Sequence, residues 1–171
     1  MNLRERFLQI LRNHANNFNE QKYWKRHCKF YDDKTPWLLK LYYLYYLRCV
    51  EIKHGGHIYR GGKRNPFCGI PVLPHGLNGI LIADGCKIGK NCCISHQVTI
   101  GKSRGKTPII GDNVYIGPGA KIFGGIKIGN NVRVGANCVV FEDIPDNATV
   151  VLPHPRIIIK PAQYTYFTFK E

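Results

Sequence analysis

Two histidines interrupt an otherwise apolar, glycine-rich stretch: His75 in PHGLNGILI (74–82) and His96 in CISHQVTIG (93–101). Imidazole exchanges a proton near neutral pH and, when neutral, also ligates metals. A pair 21 residues apart is therefore the first place to look for chemistry. A basic segment, GKSRGKTPI (101–109), follows directly; its Lys102, Arg104 and Lys106 supply cations of the kind that hold phosphate or carboxylate. The seven cysteines offer less. Their number is odd, which argues against a closed disulfide framework. Cys86, Cys92 and Cys138 read as small core residues, and nothing in the sequence around Cys93 lowers a thiol toward nucleophilic thiolate.

The elements that must position these groups follow a six-residue period. Branched apolar anchors stand at Ile82, Ile88, Ile94 and Ile100, then at Ile110, Ile116, Ile122, Ile128, Val134 and Val140. Four residues after most anchors comes a second small or apolar residue: Cys86, Cys92, Val98, Val114, Ala120, Ile126, Val132, Cys138 and Ile144. A period of six is neither helical nor that of a flat strand. It is the signature of a parallel β-helix, in which three short strands make a triangular coil of about 18 residues and each coil buries its face on the next. Glycines 89, 101, 111, 117, 129 and 135 directly follow their anchors and are expected at the corners. Function then has to sit where the repeat is broken. The breaks are an extra residue in 74–82, His96, and the four-residue excess of the 101–109 loop.

Three parts are expected along the 171 residues: an N-terminal helical segment (1–53), the β-helix (54–152) and a C-terminal tail (153–171). Residues 2–31 read as one or two amphipathic helices. Thr35 and Pro36 read as a cap and a first-turn proline opening a helix to about Ile52, apolar nearly all round, with Tyr42, Tyr43, Tyr45 and Tyr46. That helix either packs in an oligomer or touches a membrane surface peripherally. No run reaches the 18 to 20 or so apolar residues of a span, and the first twenty residues lack the apolar core of a secretory signal, so a cytoplasmic location is expected. The net charge of +14 points to an anionic partner. The cations are scattered and no nucleic-acid module is present, so nucleic acid is not the expected one.

PHGLNGILI, SHQVTIG, the basic loop, IGDNVYIGPGAKIFGGIKIGNNVRVGANCVV and DIPDNATVV together resemble the hexapeptide acyltransferases, in the branch of the serine acetyltransferases and the capsule-polysaccharide O-acetyltransferases. The resemblance covers roughly 57–152. It implies a left-handed parallel β-helix, a homotrimer, and acetyl-CoA bound as acyl donor in the groove between neighbouring subunits, with no metal. By the same resemblance His75 takes the place of the catalytic base; His96, 21 residues on and so about one coil above it, is the rival for that role, or a contact to the acceptor or thioester, or a hydrogen-bonding residue of the loop base. Gly101, Lys102, Gly117, Pro118, Arg133, Gly135 and Ala136 take the places that line the coenzyme. Serine acetyltransferases have an aspartate before the histidine and a second histidine in the extended loop; here stand Pro74 and Thr107. These departures favour a hydroxyl of a sugar or polysaccharide precursor as acceptor, with serine as the alternative. Two readings of another class are a non-catalytic β-helix scaffold and a γ-type carbonic anhydrase. The latter would need three zinc-binding histidines, for which His54 and His57 are poorly placed.

Overall fold

The computed structural model describes residues 18–60 and 64–159. Two helices come first, α1 (Glu20–Tyr31) and α2 (Trp37–Lys53). Asn19 caps α1, its side chain accepting the Lys22 N–H at 2.8 Å and satisfying one of the donors that a helix start leaves free. The earlier part of the amphipathic N-terminal reading, 2–17, lies outside the described residues. At α2 the expected threonine cap does not form. Pro36 itself stands at the cap position, in an extended conformation and with no side-chain cap bond, and Thr35 is buried instead. The proline disfavours helical backbone at the residue before it, so the helix starts after it.

The β-helix then runs through twelve short strands: β1 (His57–Ile58), β2 (Leu81–Ile82), β3 (Lys87–Ile88), β4 (Cys93–Ile94), β5 (Thr99–Gly101), β6 (Ile109–Ile110), β7 (Tyr115–Ile116), β8 (Lys121–Phe123), β9 (Lys127–Ile128), β10 (Arg133–Val134), β11 (Val139–Val140) and β12 (Thr149–Val150). They form three parallel sheets, ordered β1-β2-β5-β8-β11, β3-β6-β9 and β4-β7-β10-β12. All ten anchors are buried, as are the second-set residues except Ile144, which is half-buried against the core. Each such side chain contributes about 1.5–3 kcal/mol of burial, which is what makes coil-on-coil stacking favourable.

Most of the glycine corners leave no room for a side-chain carbon. The glycines after the anchors are needed for closeness rather than for left-handed backbone: a Cβ on Gly117 would meet the Ala136 nitrogen of the next coil at 2.8 Å. Left-handed φ is taken instead by asparagines, which tolerate it through their short polar side chains. Asn91, Asn113, Asn131 and Asn147 have φ of 53° to 61° at one corner. Their amides form a ladder, Asn91 to Asn113 at 3.1 Å, Asn113 to Asn131 at 3.1 Å and Asn131 to Asn147 at 2.9 Å.

The first break in the repeat is larger than the one extra residue read from the sequence. Val72 to Leu81 spans nine positions where the coil above, Cys93 to Thr99, spans six. The surplus makes the turn 74–79.

The helices cover the start of the solenoid through a buried polar cluster. Glu51 is fully buried and ion-paired with Arg60; the Tyr23 hydroxyl donates to Glu51 Oε1 at 2.6 Å, and Arg60 donates to the Tyr23 oxygen at 2.8 Å and to the Ile58 carbonyl at 3.0 Å. Beside it, His27 is buried among the rings of Trp24, Phe67 and Tyr31 at 5.2, 5.7 and 5.3 Å.

Burial, with the charge of Arg60 adding to it, pushes the His27 imidazole down to about 3, against about 6.5 in an unfolded chain. Between those values the unfolded state takes up a proton that the native state refuses. The contribution of His27 is therefore intact above pH 6.5 and erodes as pH falls toward 3, by up to about 1.4 kcal/mol per pH unit. Urea unfolding at pH 7.5 and pH 5 should show a smaller acid loss in His27→Leu than in the parent chain; equal losses would mean that His27 is charged in the native state.

Candidate active site

His75 and His96 meet. Their ring centroids lie 4.7 Å apart with planes at 90°, an edge-to-face pair. His75 is exposed on the 74–79 turn, while His96 is half-buried just past β4, one coil on.

Apolar and backbone contacts hold the turn rigidly. Leu77 and Ile80 are fully buried beneath it. Gly79 N–H donates to the His54 carbonyl at 3.2 Å, and Gln97 N–H donates to the Asn78 carbonyl at 2.8 Å, joining the turn to the coil above. Gly79 has φ +64°, and a Cβ there would lie 3.1 Å from Gln97 Cγ. Gln97 itself is left-handed at φ +57°, and its carbonyl accepts from Lys121 Nζ at 2.6 Å. The His96 carbonyl accepts the Gly119 N–H at 3.0 Å, and the Pro118 carbonyl accepts the Asn137 N–H at 2.8 Å. Asn78, His96, Pro118 and Ala136 therefore occupy one edge of the prism in four successive coils, with His75 packed against His96 and with Gly117 and Gly135 beside the upper two.

The remaining predicted residues lie elsewhere. Gly101 ends β5 and Lys102 follows it, at the opposite end of that strand from the histidine edge. The loop they open closes as a small hairpin, Ser103 and Lys106 exchanging N–H···O bonds of 2.9 Å, with Lys102, Arg104 and Lys106 all exposed. Thr107 faces back, its hydroxyl donating to the Gly85 carbonyl at 3.0 Å and pinning the loop base to the coil below. Arg133 stands outside β10 with its guanidinium 5.4 Å from the Tyr115 ring centre. Burial holds the Cys86 thiol up at about 11 and also raises Cys92 and Cys93, in keeping with core rather than nucleophilic roles.

His96 Nδ1 is buried without a hydrogen-bond partner, and neither imidazole is bonded to a carboxylate among the described residues. His57 contacts Arg48. Among the described residues no group of three or more His, Cys, Asp or Glu side chains gathers where it could hold a metal ion. Gln97 and Lys121, which fix the turn under the site, were not found from sequence. Lys121 precedes its anchor just as Lys87 and Lys127 do, so nothing in the pattern distinguishes it.

Residues 107–142 match the model of the bacterial transferase hexapeptide (six repeats). Over those residues the chain carries the six-residue repeat of the bacterial hexapeptide transferases. Within that family its similarity is to the serine acetyltransferase branch. The Staphylococcus aureus (strain Mu50 / ATCC 700699) serine acetyltransferase is 49% identical over 106 residues, which cover 60% of this chain and 45% of that protein. The chain thus spans about half the length of the curated relatives it matches. The crystal structure of the Neisseria gonorrhoeae serine acetyltransferase superposes with a TM-score of 0.62 at 29% identity, covering 83% of this chain and 55% of that one. A serine acetyltransferase in complex with CoA superposes with a TM-score of 0.54 at 28% identity, over 64% and 44%.

The His75 turn rests on Gln97 through Gly79. Gly79→Val places a β-branched residue at positive φ and against Gln97, and is expected to cost about 1–3 kcal/mol in urea unfolding. A variant as stable as the parent would show that the turn is not held there.

Proposed function

We propose that this chain transfers an acetyl group from acetyl-CoA to a hydroxyl, with His75 as general base. The observation that carries the reading is the edge-to-face His75–His96 pair at the foot of the Pro118–Ala136 edge, in a chain whose relatives are serine acetyltransferases. An alcohol is a poor nucleophile at neutral pH, and an imidazole that takes its proton during attack overcomes this.

The transfer is direct. His75 accepts the hydroxyl proton as the oxygen attacks the thioester carbonyl, and a backbone N–H stabilises the tetrahedral oxyanion. Collapse breaks the carbon–sulfur bond, and the departing thiolate takes the proton from the imidazolium. His96 is the positioning residue, its buried edge holding the plane of His75. Gly117, Pro118, Gly135 and Ala136 form a narrow, small-residue track along which the pantetheine of acetyl-CoA pairs with backbone groups. Lys102 and Arg133 serve the nucleotide phosphates from outside that track. As in the sequence reading, the working unit is a homotrimer with the donor between copies.

For the acceptor, serine is better supported than the sugar expected from sequence, because the relatives reported above are serine acetyltransferases. A sugar hydroxyl remains the second reading, favoured by one specific observation: Pro74 replaces the aspartate, and Thr107 is committed to the loop base rather than free to meet an amino acid.

Free thiol released from acetyl-CoA tests both. His75→Ala should lower turnover by about 100-fold or more while leaving CoA affinity, measured calorimetrically, unchanged. His96→Phe, which keeps the ring packing, should retain much more activity than His96→Ala; a silent His75→Ala with loss at His96→Ala would reverse the two roles. Turnover with serine but not with simple sugars, nucleotide sugars or acidic oligosaccharides supports the first acceptor, the opposite pattern the second. No turnover with any of them favours a scaffold.

A further inference from the structure

Helix α2 is apolar on two sides, and only one of them is used by the fold. Leu47 and Glu51 are fully buried, and Tyr46 and Val50 pack on the core. On the other side Trp37, Leu38, Leu41, Tyr42, Tyr45 and Ile52 are each 49% to 71% exposed. At 100° per residue these six fall within an arc of about 140°, a continuous face rather than scattered side chains.

The charges that the helix itself shows to solvent have one sign; the nearest acids, Asp32 and Asp33, stand in the turn before it, Asp32 paired with Lys29. The helix has a single acid, Glu51, which is wholly buried against Arg60, so the charged side chains it shows to solvent are Lys40, Arg48 and Lys53. Lys22 and Arg26 of α1 flank it further, Arg26 lying 3.8 Å from the Tyr46 ring centre and donating to the Tyr42 hydroxyl at 3.3 Å.

We propose that α2 docks this face into the headgroup region of an anionic lipid bilayer, lying in the plane of the surface. Trp and Tyr have apolar bodies with polar tips and favour that boundary, while the basic flanks pair with lipid phosphates. The charge arrangement selects this occupant over a second copy, because pairing two such faces would bring positive flanks together, whereas an anionic surface neutralises them. Spanning is not involved: α2 has 17 residues, and among the described residues no helix is long and apolar enough to cross a membrane. The inference is independent of the acetyl-transfer chemistry.

Vesicle co-sedimentation of the full chain tests it. Mixed phosphatidylglycerol–phosphatidylcholine vesicles should retain the protein, and the emission of exposed Trp37 should shift to the blue, Trp24 being already buried. Binding should fall about tenfold or more on phosphatidylcholine alone, and likewise in the Leu41→Glu/Tyr45→Glu variant, whose turnover in solution should be unchanged. Failure of the full chain to bind the mixed vesicles would overturn the proposal, and so would equal binding by the double variant. A double variant that stays folded by circular dichroism but sediments as a smaller species would assign the face to contact between copies instead.

Discussion

Everything in this molecule depends on how closely one coil rests on the next. Parallel backbone bonds of about 2.8–3.0 Å join each strand to its counterpart one coil away, and at some steps, such as Gly117 above Ala136, there is no space for a side-chain carbon. That constraint makes the inside narrow, so that only branched or small residues fill it. It also makes the outside regular, so that a residue's place on the prism is set by its phase in the repeat. A departure in length cannot be absorbed by the stack and has to leave it as a loop. The two insertions therefore become the 74–79 turn and the 101–109 hairpin, and the candidate site assembles where the first of these lies under His96.

The helical segment is joined by a different kind of interaction. Glu51 and Arg60 are both taken out of water, which is costly for two charges, and the cost is offset by their mutual attraction and by hydrogen bonds from Tyr23 and to Ile58. The cluster connects α1, α2 and the strand that begins the first coil. Around it His27, Trp24 and Phe67 add a layer of edge-to-face rings. The start of the solenoid is thus closed by an apolar lid with one ionic knot inside it, while burial holds the neighbouring imidazole neutral.

The repeat was legible in the sequence because burial is periodic: each anchor from Ile82 to Val140 is inside, as its phase requires. The meeting of His75 and His96 was legible in outline for the same reason, since an offset of one coil stacks residues on the same edge. Three things were not. The size of the 74–79 insertion was obscured because Leu77 and Ile80 turn inward and imitate repeat residues. The Glu51–Arg60–Tyr23 cluster joins residues up to 37 positions apart with no periodic signal. What the glycines after the anchors answer to was not legible either: it is the proximity of the next coil, a quantity that exists only once the coils are stacked.

The far end of the solenoid is finished differently from the near one. After β12 the chain continues through Val151 to Ile159 without regular structure and exposed, and Pro153 and Pro155 fall at its beginning. A stack of parallel strands is a template that any further strand with free N–H groups can extend, including one from another molecule. Proline lacks that donor. Two prolines placed one residue apart, just past the last rung, deny the next rung its hydrogen bonds, and so turn an open-ended polymer geometry into one with a stop.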